Sequence, residues 1–268
     1  MDHLKRHYDL GGGGKSSAAD RGARAFFAEA WRAVGIASRF QAMPTLDPLY
    51  EESLNAAIYA ELRQRLVTGR MAPGHELSTR SLAAELGVSQ TPVRDALSRL
   101  AADGAVAIRS KRRILVPLMT QERFDDLLRC RLLLEPEAAA RALDHIDAAR
   151  LASLREIDAA LDLAIADDDP DSYMRHNHAF HFTLYRAQPG PTMAQLIETL
   201  WLQFGPFMRL VFGRLDAARL NDQHQAAIAA IIAHDAEALR KAIAADIGDG
   251  MGLLSRSGFA ANGAAAKV

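Results

Sequence analysis

The chain has 268 residues and a mass of 29.2 kDa, with 49% hydrophobic and 24% charged residues; this suits two modest folded domains and excludes a disordered chain. The net charge of −1 is unevenly distributed: residues 1–50 carry seven Lys and Arg against five Asp and Glu, residues 51–117 carry ten against seven, and residues 118–268 carry fifteen against twenty-one. This small difference suggests that the middle region meets a polyanion. The single cysteine, Cys130, excludes an intramolecular disulfide framework. The sequence shows neither a signal peptide nor an apolar run of roughly 18 to 20 residues, so we expect a cytoplasmic protein with no membrane partner.

Residues 1–45 are predicted to form a flexible N-terminal extension. Four glycines, Gly11–Gly14, precede Lys15 and two serines in a low-complexity stretch. The string GGGGKS invites comparison with a P-loop, but the first glycine of that motif would fall on Asp9, and no apolar strand precedes it. A phosphate-binding loop is therefore not expected. Met43 is an alternative translational start, which leaves open whether residues 1–42 belong to the native structure.

Residues 46–117 are predicted to form a winged helix-turn-helix domain. The apolar residues of a first helix recur at helical spacing: Leu54, Ile58, Leu62 and Leu66. A short second helix ends at Gly87, and a third helix stops at Gly104. Two β-rich pieces, 105–109 and 114–116, follow on either side of a basic run. A helix, a short helix, a glycine turn, a helix and a basic hairpin are typical, in this order, of a winged helix-turn-helix.

The third helix is predicted to enter the major groove of double-stranded DNA. The candidate contacts at its N-terminal end are Ser89, Gln90, Thr91 and Arg94. The candidate contacts on the wing, close to phosphates or the minor groove, are Arg109, Lys111, Arg112 and Arg113. Arg94 taken alone is more often a solvated helix charge, but the ordered combination of turn, capped helix and basic wing favours DNA binding.

The run LAAELGVSQTPVRDALSRL, residues 82–100, resembles the DNA-binding signature of the GntR family of bacterial transcription regulators. The resemblance implies a homodimer on a short palindromic operator, and it implies DNA contacts at Arg80, Ser89, Gln90, Thr91, Arg94, Ser110 and Lys111. Gln90 stands where arginine is common in the family, and the wing tip Ser-Lys-Arg-Arg lacks the usual glycine. We therefore expect an operator sequence that differs from those of related proteins.

Residues 118–258 are predicted to form an all-α bundle of about six helices, followed by a disordered tail, residues 259–268, so that the whole chain is mainly α. No strand pattern follows Pro117. The first helix begins after Thr120, and the remaining helices are expected near 147–166, 172–187, 192–212, 217–233 and 235–256. We assign effector binding and dimerisation to this domain.

Several polar residues fall where the bundle should be apolar. Asn177 and His181 are four residues apart and share one helical face. His224 opens the next-to-last helix, and Asp246 lies among apolar residues of the last. Together these residues could hold a divalent ion such as Zn²⁺, Ni²⁺ or Fe²⁺. From the spacing alone, however, a buried histidine is more often hydrogen-bonded to a neighbour than bound to metal.

This half resembles the FCD ligand-sensing domain of the FadR subfamily within the GntR family. The matching residues are Arg131, Glu135, Asn177, Phe180, His181 and His224. The resemblance implies a metal held by one aspartate and three histidines, but here Asn177 replaces the aspartate and Asp246 replaces the last histidine. It also implies a small organic-acid effector on the metal, with Arg131 as a partner for a carboxylate. Equally, Arg131 can pair with Glu135 on the same helix.

The sequence therefore predicts a bacterial transcription regulator and not an enzyme. The output expected from the family is repression, relieved or altered by the bound acid. One alternative is a helical-bundle metalloenzyme, which is disfavoured because the chain has no HExxH motif and no paired Glu-x-x-His motif. The other alternative is a DNA-binding protein whose helical domain only dimerises, with Asn177 and His181 as polar core residues.

Overall fold

The computed structural model describes residues 48–110, 113–212 and 223–265. The predicted extension, residues 1–45, lies outside the described residues, as do the wing residues Lys111 and Arg112. Of Ser110 the backbone is described, but the side chain is not.

The first part of the described chain is the predicted winged helix-turn-helix. Its elements are α1 (Pro48–Val67), β1 (Glu76–Leu77), α2 (Thr79–Leu86), α3 (Gln90–Ala102), β2 (Ala107–Ser110) and β3 (Arg113–Leu115). The three strands form an antiparallel sheet in the order β1-β3-β2, in which Leu77 pairs with Ile114 and Ile108 with the same Ile114. The predicted fold class is thus confirmed, and the two predicted strand segments are displaced by one or two residues.

Local capping explains where α2 begins and ends. The Ser78 side chain accepts a hydrogen bond from the Ser81 N–H at 3.3 Å, which satisfies one unpaired N–H of the first turn. Gly87 closes the helix with φ +68°, a left-handed conformation that favours glycine. Because a Cβ at Gly87 would meet nothing within 4 Å, the glycine is required by this backbone turn and not by a close helix crossing.

The second part of the described chain is the predicted helical bundle. Its helices are α4 (Gln121–Ala142), α5 (Ala148–Ala166), α6 (Pro170–Tyr185), α7 (Thr192–Phe212), α8 (His224–Ile232) and α9 (Ala236–Ala265). The N-caps of the first three are Thr120, Asp147 and Asp169, each of which accepts a hydrogen bond from a first-turn N–H. The last helix continues to Ala265, so the predicted disordered tail is helical from 259 to 265.

Helix α7 contributes three large aromatic side chains to the hydrophobic core. Its side chains Trp201, Phe204 and Phe207 are almost completely buried, and the Phe124 ring of α4 lies 5.6 Å from the Phe204 ring. The buried apolar residues of both domains form one continuous cluster, which makes the domain interface part of the core. None of the helices in the described ranges is long and apolar enough to cross a membrane.

Candidate functional site

The predicted DNA-contacting side chains of α2 and α3 are exposed. These are Arg80, Ser89, Gln90, Thr91 and Arg94. The opposite face of α3 is buried through Val93 and Leu97, which orients the exposed face away from the core. Ser89 occupies the N-cap position, and its side chain makes no capping hydrogen bond. Helix N-termini with N–H groups of this kind are favourable places for a phosphate.

The wing is partly described. Ser110 ends β2 and pairs with Arg113 across the hairpin, and the exposed Arg113 forms an ion pair with Glu76 at 3.0 Å. Since Lys111 and Arg112 lie outside the described residues, their predicted roles at the wing tip stay predictions.

The structure brings His181 of α6, His224 of α8 and Asp246 of α9 together in the bundle core. One ligand atom from each lies within 4.8 Å of the others. The Nε2 atom of His181 is 3.2 Å from Oδ2 of Asp246, and Nε2 of His224 is 4.0 Å from Oδ1 of the same carboxylate. Both histidine rings are 1% exposed. Two imidazoles and a carboxylate converging in this way are a donor set for a divalent metal.

The hydrogen bonds of Tyr185 determine which nitrogen of His181 faces this cluster. The Tyr185 hydroxyl donates to Glu135 Oε2 at 2.9 Å and lies 2.9 Å from His181 Nδ1. Because a hydroxyl has one hydrogen, Nδ1–H of His181 must be the donor in the second bond. Burial, followed by the charge of Glu135, raises the pKa of Tyr185 well above its usual value, so the hydroxyl keeps its proton.

The tautomer of His181 has a direct chemical consequence. When the ring is neutral, Nε2 carries a lone pair, and this lone pair lies 3.2 Å from a carboxylate oxygen. Two lone pairs at this distance repel each other unless a proton or a metal cation lies between them. The orientation of the ring by a hydrogen bond on its other nitrogen is the arrangement found for metal-ligating histidines. His181 therefore fits the role of a ligand.

His224 has a comparable partner that the sequence analysis missed. Its Nδ1 atom lies 3.4 Å from Oδ1 of Asp158 on α5, and this aspartate is 2% exposed. The ring also stacks on Phe180, with 3.9 Å between the ring centroids. A carboxylate behind a histidine fixes the ring orientation and increases its basicity. The available signal was the place of Asp158 between Leu154 and Leu161 on the buried face of α5.

The charge of Asp246 depends on opposing effects. Burial by itself would raise the pKa of this carboxyl, but a protonated His181, through its hydrogen bond and charge, together with the charge of His224 and the Gln223 N–H, lowers it below the usual value. The Gln223 N–H donates to Oδ1 at 3.2 Å. Asp246 is therefore an anionic ligand candidate. Asn177 is buried one helical turn before His181 on α6, and its predicted role as a ligand stays a prediction.

In the structure Arg131 is paired with Glu135 on the same helix, as the second of the two interpretations expects. Its Nε and Nη2 atoms donate to the two carboxylate oxygens of Glu135 at 2.5 and 3.2 Å, and the guanidinium is buried. Burial would lower the pKa of Arg131, but the neighbouring Glu135 outweighs this effect and raises it. The same carboxylate accepts the Trp201 Nε1–H at 3.2 Å. The effector-binding role of Arg131 stays a prediction.

Comparison with known proteins supports this division of the chain. Residues 54–116 match the family model of bacterial regulatory proteins, gntR family, and residues 126–249 match the FCD domain. The HTH-type transcriptional regulator McbR of Escherichia coli K12 is 30% identical over 75% of this chain and 93% of its own length. The gluconate operon transcriptional repressor of Bacillus subtilis 168 is 30% identical over 70% of this chain and 79% of its own.

Solved structures show the same architecture. The structure of Escherichia coli McbR has a TM-score of 0.72 and 29% identity, covering 76% of this chain and 97% of that one. A GntR transcriptional regulator of Rhodococcus sp. RHA1 shares the fold, with a TM-score of 0.62, 23% identity and coverage of 76% and 99%. The two family models and these relatives define a bacterial transcriptional regulator with a DNA-binding domain and an FCD domain. The chain belongs to the GntR family of bacterial regulatory proteins.

Proposed function

We propose that this chain is a homodimeric repressor of the bacterial cytoplasm whose affinity for a palindromic operator is controlled by a small organic acid. Residues 46–117 bind the operator, and residues 118–258 bind the acid at a divalent metal ion and contribute to dimerisation. One observation carries the proposal: His181, His224 and Asp246 converge in the bundle core, with Nε2 of His181 facing a carboxylate oxygen. This arrangement is favourable when a cation lies between the two atoms.

The proposed ligands are His181, His224, Asp246 and Asn177. Two imidazoles combined with oxygen donors suit Zn²⁺, Ni²⁺ or Fe²⁺, and a carboxylate in place of a third imidazole shifts the preference towards harder ions. The bound ion supplies a Lewis-acidic centre that accepts the carboxylate of the acid. The hydrogen bond with Tyr185 orients the His181 ring for ligation, and the Asp158 carboxylate lies 3.4 Å from Nδ1 of His224, on the side of the ring away from Asp246.

Arg131 belongs to the proposed effector site because a planar guanidinium suits a carboxylate. It is linked to His181 through Glu135 and Tyr185. Since Glu135 already occupies two of its donors, the acid has to share or displace this pair. Such a change would alter the hydrogen bonds of Glu135 and Tyr185 in the bundle core.

The DNA-binding part of the proposal is supported by the exposure of the predicted contact residues Arg80, Ser89, Gln90, Thr91 and Arg94. Ser110, Lys111 and Arg112 complete the proposed contacts at the wing. Two-fold symmetric operators are the usual targets of dimeric helix-turn-helix proteins, which supports a homodimer. The Bacillus subtilis relative is named as the repressor of an operon, which supports repression as the output.

Metal analysis of the untagged protein tests the proposed site. We expect near-stoichiometric metal in the wild type and its loss in His181→Ala and His224→Ala, because each change removes one of three converging donors. His234→Ala is the matched control, since His234 is an exposed histidine that lies outside the bundle core and forms an ion pair with the exposed Asp144. Metal contents are measured after incubation with Zn²⁺, Ni²⁺ and Fe²⁺ in turn and removal of the excess.

Two results would contradict the proposed site. The first is a wild-type protein that retains none of the three metals, in which case the polar residues only stabilise the bundle and the domain only dimerises. The second is equal metal content in all four proteins. If the metal is present, organic acids are then screened for release of the protein from its operator.

A further inference from the structure

Helix α7 contacts the polar core with one side chain and the DNA-binding domain with another. Trp201 donates its indole N–H to Glu135 at 3.2 Å, and its ring lies 5.2 Å from the ring of His181. Gln203 follows two residues later, which places it about 200° further around the helix axis. Gln203 contacts the end of α3, the helix predicted to enter the major groove and called the recognition helix from here on. One helix thus touches both sites.

Gln203 and Arg123 bind the carbonyl groups that end α3. The Gln203 Nε2 atom donates to the Asp103 carbonyl at 3.0 Å, and its Oε1 accepts from Arg123 Nη2 at 3.0 Å. The same Arg123 nitrogen donates to the Gly104 carbonyl at 2.9 Å. Asp103 is the C-cap of α3 and Gly104 is the next residue. Two side chains of the bundle therefore bind the backbone at the point where the predicted DNA-recognition helix α3 ends.

The next residues of α7 make a backbone contact with the DNA-binding domain. A Cβ atom at Gly205 would lie 2.6 Å from the carbonyl oxygens of Leu66 and Val67 at the end of α1, so only glycine allows this approach. Pro206 follows inside the helix and has no N–H to donate, which removes one helical hydrogen bond. The backbones of α7 and α1 are thus in close contact beside a turn of α7 that lacks one helical hydrogen bond.

We propose that α7 transmits changes in the hydrogen-bond network of the polar core to the recognition helix α3. Gln203 and Arg123 are the positioning residues that connect the bundle to the end of α3. Trp201 couples α7 to the network of Glu135, Tyr185 and His181. The inference rests on the proposed function in one respect, namely that this network responds to an effector.

A double-mutant cycle on operator affinity tests this coupling without metal or effector. The full-length protein is used in a chelating buffer, and the probe is a DNA duplex that the wild type selects from a random-sequence pool. Tyr185→Phe perturbs the core, and Gln203→Ala releases the end of α3. We expect the effect of Tyr185→Phe on the dissociation constant to change by about threefold or more when Gln203 is absent, because interacting sites are not additive.

Gln195→Ala is the matched control, since Gln195 is an exposed glutamine on the same helix. Its effect should combine with that of Tyr185→Phe to within about twofold, as for independent sites. The proposal is wrong if the effects of Gln203→Ala and Tyr185→Phe on the dissociation constant also combine to within about twofold. Thermal melting checks that each variant folds, and Trp201→Phe replaces Tyr185→Phe if the latter does not. The metal content of the protein tests the proposed metal site separately, so the metal site and the coupling through α7 can each be wrong without the other.

Discussion

Glu135 is the residue at which the hydrogen bonds of the core converge. Its side chain is 0% exposed, and its two oxygens accept hydrogen bonds from Arg131, Tyr185 and Trp201. A buried carboxylate is tolerated when its charge is paired and its lone pairs are satisfied. The network therefore links the side chain predicted to bind the effector with the ring predicted to bind the metal.

This arrangement predicts how Arg131 variants unfold. Arg131→Ala leaves the Glu135 charge buried and unpaired, so we expect the free energy of unfolding to fall by about 3 to 5 kcal/mol. The double variant Arg131→Met with Glu135→Gln removes both charges and should lose far less. Urea unfolding followed by circular dichroism measures both losses. If the double variant is as unstable as Arg131→Ala, the unpaired charge of Glu135 is not the cause of the lost stability.

The same pair of variants separates the two interpretations of Arg131. Because the double variant is expected to keep its fold, its response to organic acids can be measured in a DNA-binding assay. Loss of the response in the double variant but not in Glu135→Gln alone, with operator binding intact in both, supports Arg131 as an effector contact. An unchanged response assigns Arg131 to structure alone.

At the scale of elements, the crossing of α7 and α1 depends on Gly205. We expect Gly205→Ala to destabilise the protein by about 1 to 3 kcal/mol, the usual cost of inserting a methyl group into a filled space, because its Cβ would overlap with the backbone of Leu66 and Val67. The matched control is Gly248→Ala in α9, where a Cβ would meet nothing within 4 Å. This change should stabilise the helix by about 0.5 to 1 kcal/mol.

Thermal and denaturant unfolding compare these two glycine variants directly. Equal effects at both positions would mean that helical propensity, and not the close approach of the two helices, determines the result. Operator affinity measured in parallel reports whether the displacement of α1 reaches the DNA-binding face.

The helices themselves were largely predictable because their signals are local. Periodic apolar residues and capping residues such as Thr120 and Asp147 lie within a few positions of the helix ends that they specify. The end of α9 was not predicted correctly, since residues 259–265 lack the strong apolar pattern that marks the other helices. Their helical backbone continues from the preceding turns of α9.

At the scale of the whole molecule, a basic DNA-binding domain is combined with an acidic bundle through one continuous core. The exposed face of α3 is the part expected to carry operator specificity. Arg94→Ala should weaken operator binding by about 5- to 150-fold if Arg94 contacts a base, since one such contact contributes about 1 to 3 kcal/mol. Arg129→Ala, an exposed arginine of α4, is the matched control.

Fluorescence anisotropy with the selected duplex measures both arginine variants. Equal affinities for Arg94→Ala and Arg129→Ala would exclude Arg94 from the interface. Sedimentation of the protein–DNA complex then gives the number of chains on each duplex, and two chains are expected from the proposed homodimer. A single chain on each duplex would contradict that part of the proposal.

The sequence by itself determined the order of elements, the two domains and the candidates His181, His224 and Asp246, because periodicity, caps and motifs act over short separations along the chain. Only the tertiary structure decided that these three side chains meet and that Asp158 supports His224. It also decided that Gln203 and Arg123 hold the end of α3, together with the close crossing at Gly205. These features join residues far apart in sequence, and their contacts depend on the packing of several helices at once, which no local pattern specifies.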